Sequence, residues 1–312
     1  MREFKIFLIV AFFSLLVYIG VEPYAHSQMH KHVESKGFTY PDLAEVNKGD
    51  VAKGKELVMS NCIACHSIKA EGMDAPMDPV TSSASYGVNP PDLSTAGAIY
   101  DAKYLVAFIA DPAKASKVAH KFPEGSGKMH PMPGYSWMPK EDIESMVSYL
   151  QELASKTEIT PKQVFVDACG RCHAVRYDNK VMGEKWTQIG QKPKFKHEKD
   201  SLAFDIKVLE YQDNLKKYMG TLPPDLSIII RARSANFLET FIENPQTQLE
   251  GTAMPAVGLN KFGFEQVMQY LENVGDPTKP VRESMGVWFL LYMAIFTVLA
   301  VLWKKSIWKK LK

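Results

Sequence analysis

The chain has 312 residues, which is enough for about two ordinary domains at roughly 150 residues each. Its 37 lysines and arginines nearly balance its 35 aspartates and glutamates, and the net charge of +2 gives no indication of a nucleic-acid partner. With 23% charged and 46% apolar residues, the composition excludes a disordered or collagen-like chain and favours a globular protein.

The N-terminal segment is charged at its start and then almost entirely apolar from residue 6 to residue 21. A short apolar core after a charged start is typical of a secretory signal, but this run is also close to the shortest that spans a bilayer. Residues 1–22 are therefore predicted to form either a signal peptide or an N-terminal transmembrane anchor. Just beyond it, His26, His30 and His32 are interpreted as exposed residues at the membrane surface rather than as a metal site.

Two Cys-x-x-Cys-His strings contain all four cysteines of the chain. They are Cys62-Ile-Ala-Cys65-His66 and Cys169-Gly-Arg-Cys172-His173. Such a string attaches a c-type haem, because its cysteines form thioethers with the vinyl groups and its histidine becomes the proximal iron ligand. A zinc site would need a second Cys or His pair nearby, and a dithiol redox site does not need the histidine. The sequence therefore predicts two covalently bound haem c groups and no structural disulfide.

The two strings belong to two halves whose landmarks recur in the same order. A helix is predicted before each string, capped by Asp50 in the first half and by Thr160 in the second. Each half is also predicted to end in an amphipathic helix. The recurring landmarks are Pro90-Pro91-Asp92-Leu93-Ser94 with Pro223-Pro224-Asp225-Leu226-Ser227, Phe108-Ile109 with Phe241-Ile242, and Pro112 with Pro245. We therefore predict two tandem domains, 45–154 and 159–275, and interpret an extra charged segment around 181–218 as a solvated face.

The sixth iron ligand is expected from a loop before the last helix of each half. Methionine suits an electron carrier, because its weak thioether raises the potential and fills the site against oxygen or peroxide. Met132 and Met254 each precede a proline at nearly the same distance from a tyrosine of the last helix. In the first half Met129 and Met138 compete with Met132 for this role. Alternative haem ligands could be His120, His130 and His197, although the spacing of these histidines does not recur between the halves.

The C-terminal segment has no charged residue between Val287 and Trp303, and five lysines follow from Lys304 to the end. A charge-free stretch of this length flanked by aromatic residues and lysines predicts a transmembrane helix over 285–304, whereas a buried core helix would not need the lysines. Positive residues at both ends of the chain place both termini on the cytoplasmic side. The region between them then lies in the periplasm of a bacterium.

The stretch from Gly49 to His66 resembles the first helix and haem site of class I cytochromes c. The resemblance implies a mostly α-helical fold of two tandem cytochrome c domains with a C-terminal transmembrane helix and an N-terminal apolar segment. It also implies that Gly54 lets the first helix cross the last helix closely at Tyr149. The second half departs from this pattern because Pro161 occupies the position of the glycine.

The second half resembles cytochrome c1 in the string from Leu222 to Arg233, in Ala253-Met254-Pro255, and in its C-terminal run. This resemblance implies that Arg233 lies near the haem propionates and that Met254 binds iron. Because the chain has an additional haem string, the resemblance is to the dihaem cytochrome c1 subunits of some bacterial bc1 complexes. In the simple scheme, cytochrome c1 passes electrons straight to a soluble cytochrome. The extra haem site of this chain departs from that scheme.

The resemblance implies an electron-transfer subunit of a quinol:cytochrome c reductase in the bacterial inner membrane, with its haem domains in the periplasm. Its partners would be the cytochrome b and Rieske iron–sulfur subunits, with a soluble cytochrome c or an oxidase as acceptor. Because no substrate bond is changed, the chain is not expected to be an enzyme on its own. The alternatives are a dihaem subunit of a terminal oxidase, a free-standing membrane-tethered shuttle, and a dihaem peroxidase with an open iron site.

Overall fold

The computed structural model describes residues 2–29, 33–123, 125–178 and 185–310. It is mostly helical, as the sequence predicts. The helices are α1 Arg2–Leu15, α2 Glu22–Met29, α3 Val51–Asn61, α4 Pro79–Tyr86, α5 Ala96–Ile99, α6 Ala102–Ala110, α7 Pro112–Ala115, α8 Lys140–Ser155, α9 Pro161–Phe165, α10 Glu198–Met219, α11 Ile229–Ala232, α12 Ala235–Glu243, α13 Pro245–Gln248, α14 Lys261–Gly275 and α15 Lys279–Lys310. Two π-helical segments, Leu16–Val21 and Val166–Gly170, follow α1 and α9. The strands β1 Trp186–Thr187 and β2 Gly190–Gln191 form an antiparallel ribbon.

The helix starts follow from their capping residues. The Asp50 carboxylate accepts from the backbone N–H groups of Ala52 and Lys53 at the start of α3. The Thr160 hydroxyl accepts from the Gln163 N–H at the start of α9, where Pro161 occupies the first turn. Side-chain acceptors at these positions satisfy N–H groups that have no partner within the helix, and proline there loses no hydrogen bond. Both helix starts were predicted from the sequence.

The first half is built on the crossing of α3 and α8. A Cβ at Gly54 would collide with the carbonyl oxygen of Ser145, so only glycine allows the two backbones to come this close. The close crossing was predicted, but it lies at Ser145 and not at Tyr149. The reason is that Tyr149 turns its ring into the core cluster of this half, together with Val58 and Met146.

In the second half α9 is short and continues as the π-helical segment Val166–Gly170, while α14 takes the place of α8. The contact between these helices is made by side chains, since the rings of Phe165 and Tyr270 lie 4.6 Å apart. The expectation that Pro161 changes this helix contact fits that arrangement. The core of this half also contains Val267 and Leu271 of α14.

The segment between the N-terminal helix and the first half packs on the second half. Phe38 is buried and stacks on Phe264 with ring centroids 4.7 Å apart. Both carboxylate oxygens of Glu243 accept from this segment, from the N–H of Lys36 at 2.8 Å and from the N–H of Phe38 at 2.7 Å. The Tyr40 hydroxyl donates to the Leu259 carbonyl at 2.8 Å. Residues 36–40 therefore run along the second half before the chain enters the first.

The two halves share a continuous interface. Ile99 of the first half is fully buried within the core cluster of the second. A Cβ at Gly263 would collide with the Ile99 carbonyl oxygen. The backbone pairs there too, as the N–H of Asp101 donates to the Gly258 carbonyl at 2.9 Å and the N–H of Asn260 to the Ile99 carbonyl at 3.0 Å. The two halves therefore pack directly against each other and are not separate domains joined by a flexible linker.

The extra segment of the second half folds into the β ribbon and α10. Its first charged residues, including Lys194, Lys196 and Lys199, are exposed, as expected for a solvated face. Its later part does more than the sequence analysis foresaw, because α10 packs along α4 of the first half and buries Tyr211 and Leu215. Residue Val181, where the segment was expected to begin, lies outside the described residues, as do His30 and His32.

Two terminal helices are long and apolar enough to cross a membrane: residues 2–25 and α15. The second helix, α15, has 32 residues and extends beyond the predicted 285–304 at both ends. At roughly 1.5 Å per residue it is about 48 Å long, which exceeds the hydrocarbon core of about 30 Å. The start of α15 is fixed to α14 by Arg282, whose guanidinium donates to both oxygens of Asp276 at 2.9 and 2.7 Å. At the other end, Lys304 pairs with Glu3 of α1 at 2.9 Å.

Candidate functional site

The first string lies at the C-terminal end of α3, where the helix turns into a tight loop. The N–H of Cys62 still donates to Val58 within the helical pattern, and the Cys62 carbonyl then accepts from Cys65 at 3.1 Å and from His66 at 2.9 Å. This double acceptance folds the string into one turn, which brings both thiols and the imidazole together. All three side chains are half-buried.

The second string repeats this turn after the π-helical segment. The Cys169 carbonyl accepts from the N–H of Cys172 at 3.1 Å and from the N–H of His173 at 2.9 Å, the same bonds at the same lengths. The helices before the two strings differ, but the loops themselves agree. The chain therefore brings each predicted set of two cysteines and one histidine together.

Each histidine is held by the recurring proline pair. The Nδ1 atom of His66 lies 2.8 Å from the Pro91 carbonyl oxygen, and Nδ1 of His173 lies 2.8 Å from the Pro224 carbonyl oxygen. Because a carbonyl only accepts, Nδ1 carries the proton in both rings and Nε2 keeps its lone pair. Burial lowers the pKa of both imidazoles, which keeps them neutral. Neutral imidazoles with a free Nε2 are what iron ligation requires.

The residues after the proline pair clamp the loop that follows each histidine. In the first half Asp92 accepts from the Ser67 hydroxyl at 2.6 Å and from the N–H of Lys69, and the Ser94 hydroxyl accepts from the N–H of Ala70. In the second half the corresponding acceptors are Asp225, for the N–H of Arg176, and Ser227, for the N–H of Tyr177. The recurring Pro-Pro-Asp-Leu-Ser string therefore holds the proximal histidine and the loop after it, and we call it the histidine brace. The composition of this string alone does not reveal that role.

The donor set fits a covalently attached haem better than a metal ion alone. All four cysteines are free, and burial raises the pKa of Cys62 and Cys169 to about 12. Among the residues that the structure describes, no group of three or more His, Cys, Asp or Glu side chains is placed to hold an ion. Two thiols and one oriented imidazole in a single turn fit thioether attachment and proximal ligation.

The three candidate methionines of the first half lie in different environments. Met129 is 85% exposed, whereas Met138 is 7% exposed and belongs to the core cluster. Met132 is partly buried against the same cluster that Cys62 contacts. The Nδ1 atom of the neighbouring His130 lies 3.1 Å from the Met132 carbonyl oxygen and 3.2 Å from the Met132 nitrogen, so this ring shapes the loop. Met132 thus differs from both competitors in being partly buried, and its role as the sixth iron ligand stays a prediction.

In the second half Met254 is half-buried, and its N–H donates to the Thr252 hydroxyl at 3.3 Å. Arg233 is exposed, and its guanidinium lies over the Phe237 ring at 5.0 Å. Arg233 directly follows α11. It is the last residue of the cytochrome c1-like string that begins at Leu222 and contains the histidine brace of the second half. The roles of Met254 as iron ligand and of Arg233 beside the propionates stay predictions.

Sequence reasoning missed several polar residues buried between the halves. The Asp167 carboxylate accepts from the Thr95 hydroxyl at 2.5 Å and from the Gln163 amide at 2.8 Å, and burial raises its pKa to about 7. Thr95 follows the brace of the first half directly, and Asp167 precedes the second string by two residues. Because Thr95 and Asp167 each lie beside a motif, the sequence could have marked them as residues of the site. It does not show that their side chains face each other.

One family model matches residues of the first half. Residues 51–154 match the family model described as cytochrome c. Over 130 residues the chain is 25% identical to a protein described as the ammonia monooxygenase gamma subunit of Nitrosomonas europaea, which covers 30% of this chain and 56% of that protein. The chain thus spans little more than half the length of this curated relative. A chain of a hyperthermophilic respiratory complex III matches with a TM-score of 0.35 and 25% identity, covering 49% of this chain and 75% of that one.

The family match makes residues 51–154 a cytochrome c domain. Covalently bound haem c and electron transfer come with that family. The chain is therefore mostly helical, has apolar helices at both ends, and matches the cytochrome c family over residues 51–154.

Proposed function

We propose that this chain is a membrane-anchored dihaem cytochrome that passes electrons from the Rieske iron–sulfur protein of a quinol:cytochrome c reductase to a periplasmic acceptor. The observation that carries the proposal is the duplicated proximal site. His66 and His173 are held by proline carbonyls at the same 2.8 Å distance, in loops with the same internal hydrogen bonds. A second site of equal construction supports a second haem.

In this proposal Cys62, Cys65, Cys169 and Cys172 form the thioethers, His66 and His173 are the proximal ligands, Met132 and Met254 are the sixth ligands, and Arg233 pairs with propionates. Haem c supplies reversible one-electron chemistry at its iron when bound. The protein contributes the rest. The proline carbonyls fix the imidazole tautomer, the methionine thioethers favour a high potential, and the packed loops exclude water.

The second half is proposed to receive the electron and the first half to pass it on. Both membrane helices attach to the second half. The helix α15 follows α14 through the Asp276–Arg282 pair, and the segment after α2 is held by Glu243. A quinol-oxidising partner works at the membrane surface, so the half fixed to both helices is the one it reaches first. The first half then faces the periplasmic acceptor, a soluble cytochrome c or an oxidase.

The proposed location is the bacterial inner membrane, with both haem halves in the periplasm. The five lysines from Lys304 to the end of the chain favour a cytoplasmic C-terminus. The ion pair between Glu3 and Lys304 brings the start of α1 beside the end of α15, which supports the proposal that both termini lie on one side. This contact supports a retained N-terminal anchor over a cleaved signal peptide. N-terminal sequencing of the mature protein decides between the two.

The function is tested by changing the methionine of one half at a time in the whole reductase complex. In Met254→Lys the stronger amine donor stabilises ferric iron and lowers the potential of the second half. Rapid mixing with quinol should then show slower reduction of both halves. In the matched variant Met132→Lys, the second half should be reduced at the normal rate, and only the first half should be slow.

Two results would contradict the proposal. If the first half is reduced at its normal rate in Met254→Lys, the electron does not pass through the second half. If the solubilised protein co-purifies with an oxidase and not with cytochrome b and a Rieske protein, the chain serves as an oxidase subunit. A high-spin haem in the spectrum of the oxidised protein would instead favour a peroxidase.

A further inference from the structure

The helix α10, which the first half lacks, carries a buried tyrosine that contacts both haem-binding regions. Tyr211 is fully buried, at 0% exposure. Its hydroxyl donates to the carbonyl of Arg171 at 2.7 Å and accepts from the N–H of Asn89 at 3.0 Å. Arg171 belongs to the second Cys-x-x-Cys-His string, where it precedes Cys172. Asn89 precedes the proline pair that holds His66.

We propose that Tyr211 is a positioning residue that bridges the two haem sites, fixing their spacing and completing a bonded path for electrons between them. The path leads from Cys172 to the Arg171 carbonyl, across the Tyr211 hydroxyl to the N–H of Asn89, and along the backbone to the Pro91 carbonyl. From there a hydrogen bond of 2.8 Å reaches Nδ1 of His66. Electron tunnelling decays less steeply along covalent and hydrogen bonds than across a gap between surfaces. The inference rests on the proposed function, because it needs a haem in both halves.

The chemistry of the bridge requires a neutral hydroxyl. A phenol both donates and accepts, whereas a phenolate only accepts and would face the Arg171 carbonyl with a negative charge. Burial raises the pKa of Tyr211 far above neutral pH, so the hydroxyl keeps its proton. One electron leaves the second site and the same electron arrives at the first. Tyr211 itself is neither oxidised nor deprotonated.

The surrounding contacts hold the bridge in place. One turn further along α10, Leu215 is fully buried, and the Asn214 amide donates to the Ser83 hydroxyl of α4 at 3.1 Å. At the end of α4, Gly87 has a φ of +82°, and a Cβ there would collide with the Tyr218 ring. The helix therefore has little freedom to slide along the first half. A hydrogen-bonded path needs this rigidity, because a small displacement would break either bond of the hydroxyl.

The test uses the full chain in detergent, reduced by one electron per molecule. Exchange of that electron between the two sites broadens the proton NMR signals of the haem methyl groups, and the line width gives the exchange rate. The variant Tyr211→Phe keeps the buried ring and removes only the hydroxyl. Its exchange should be several-fold slower than that of the unmodified protein, with the same haem content. The N–H of Asn89 should also exchange with solvent faster, because it has lost its acceptor.

Two further variants separate the bridge from a general loosening of the interface. Asn89→Pro removes the N–H donor from the other end of the path and should slow the electron exchange as Tyr211→Phe does. The matched control Ser83→Ala breaks a hydrogen bond between the same two helices that leads to neither haem string. Its exchange rate should equal that of the unmodified protein.

The possible failures are distinguishable. Two haems per chain with unchanged exchange in Tyr211→Phe would overturn the bridge and leave the proposed function standing. Equal slowing by Ser83→Ala would also overturn it, because the effect would then come from interface packing. One haem per chain in the unmodified protein would overturn the proposed function, on which the bridge rests.

Discussion

The loops that carry the two candidate distal methionines are held in opposite ways. In the first half the loop is fixed within its own half, because the Tyr135 N–H donates to the Ile109 carbonyl at 2.9 Å and its hydroxyl to the Asn61 carbonyl at 3.0 Å. In the second half the corresponding loop is fixed by the other half. There Ala256 donates to the Ser116 carbonyl at 2.9 Å, and its own carbonyl accepts from the Tyr104 hydroxyl at 2.5 Å.

The difference shows that the methionine loop of the second half has hydrogen bonds to the neighbouring half, whereas the bonds of Tyr135 stay within the first half. The first half has the close glycine crossing of its two main helices, whereas the second half fills the corresponding space with aromatic rings and with Ile99 of its neighbour. The residues that match the cytochrome c family model, 51–154, belong to the half with the close glycine crossing.

The largest effect is expected when each candidate distal methionine, Met132 or Met254, is replaced by histidine in turn. If both methionines bind iron, the near-infrared charge-transfer band of the thioether–iron bond should fall to half in Met132→His and in Met254→His. Histidine supplies a nitrogen ligand and keeps the iron low-spin, so only the thioether signal is lost. An intact band in either variant would show that the ligand of that half is another residue.

The crossing of α3 and α8 should make the first half sensitive to a single methyl group. Gly54→Ala pushes a Cβ into the Ser145 carbonyl, and overpacking of this kind costs about 1–3 kcal/mol of unfolding free energy. Denaturant unfolding of the detergent-solubilised protein measures the loss. On the exposed side of the same helix, Ser60→Ala should change stability by less than about 0.5 kcal/mol. Equal stability of the Gly54→Ala protein would show that the two helices can separate freely.

The buried carboxyl between the halves should make stability depend on pH. Asp167 stands where the first half has the exposed Ser60, and its surroundings raise its pKa to about 7. The main cause is burial, with Asp92 raising the pKa and Lys69 lowering it. Between about pH 4 and pH 7 the folded chain binds a proton that the unfolded chain has lost, so stability falls as pH rises through this range.

The slope from one such group is at most about 1.4 kcal/mol per pH unit. Asp167→Asn keeps the shape and removes the titration, so its unfolding free energy should fall less across the same range. Thermal unfolding at a series of pH values measures both proteins. An identical slope in the variant would mean that Asp167 is ionised throughout.

The smallest expected effect comes from removing one hydroxyl at each methionine loop. Tyr104→Phe should disturb only the Met254 site, and Tyr135→Phe only the Met132 site, each at a cost of about 1 kcal/mol for one hydrogen bond. Combining each with Met132→His or Met254→His leaves a single thioether band to observe. If Tyr104→Phe weakens the Met132 band instead, the loop of the second half is not supported across the interface.

Much of the fold follows from local signals in the sequence. The caps at Asp50 and Thr160, both haem strings and the apolar C-terminal helix were predicted because each depends on residues close together in the chain. The site of the α3–α8 crossing was misplaced to Tyr149, since the side chain that faces a glycine depends on the angle between two helices. The roles of Tyr211 and Asp167 could not be predicted, because they arise only where the two halves meet.

The most direct measurement of the central claim is the intact mass of the chain with its covalent haem. We expect a mass that exceeds that of the polypeptide by two haem groups. We expect one haem for the double variant Cys62→Ala with Cys65→Ala, and one for Cys169→Ala with Cys172→Ala. A single haem on the unmodified chain, or an unchanged mass increment when the second pair of cysteines is removed, would contradict it.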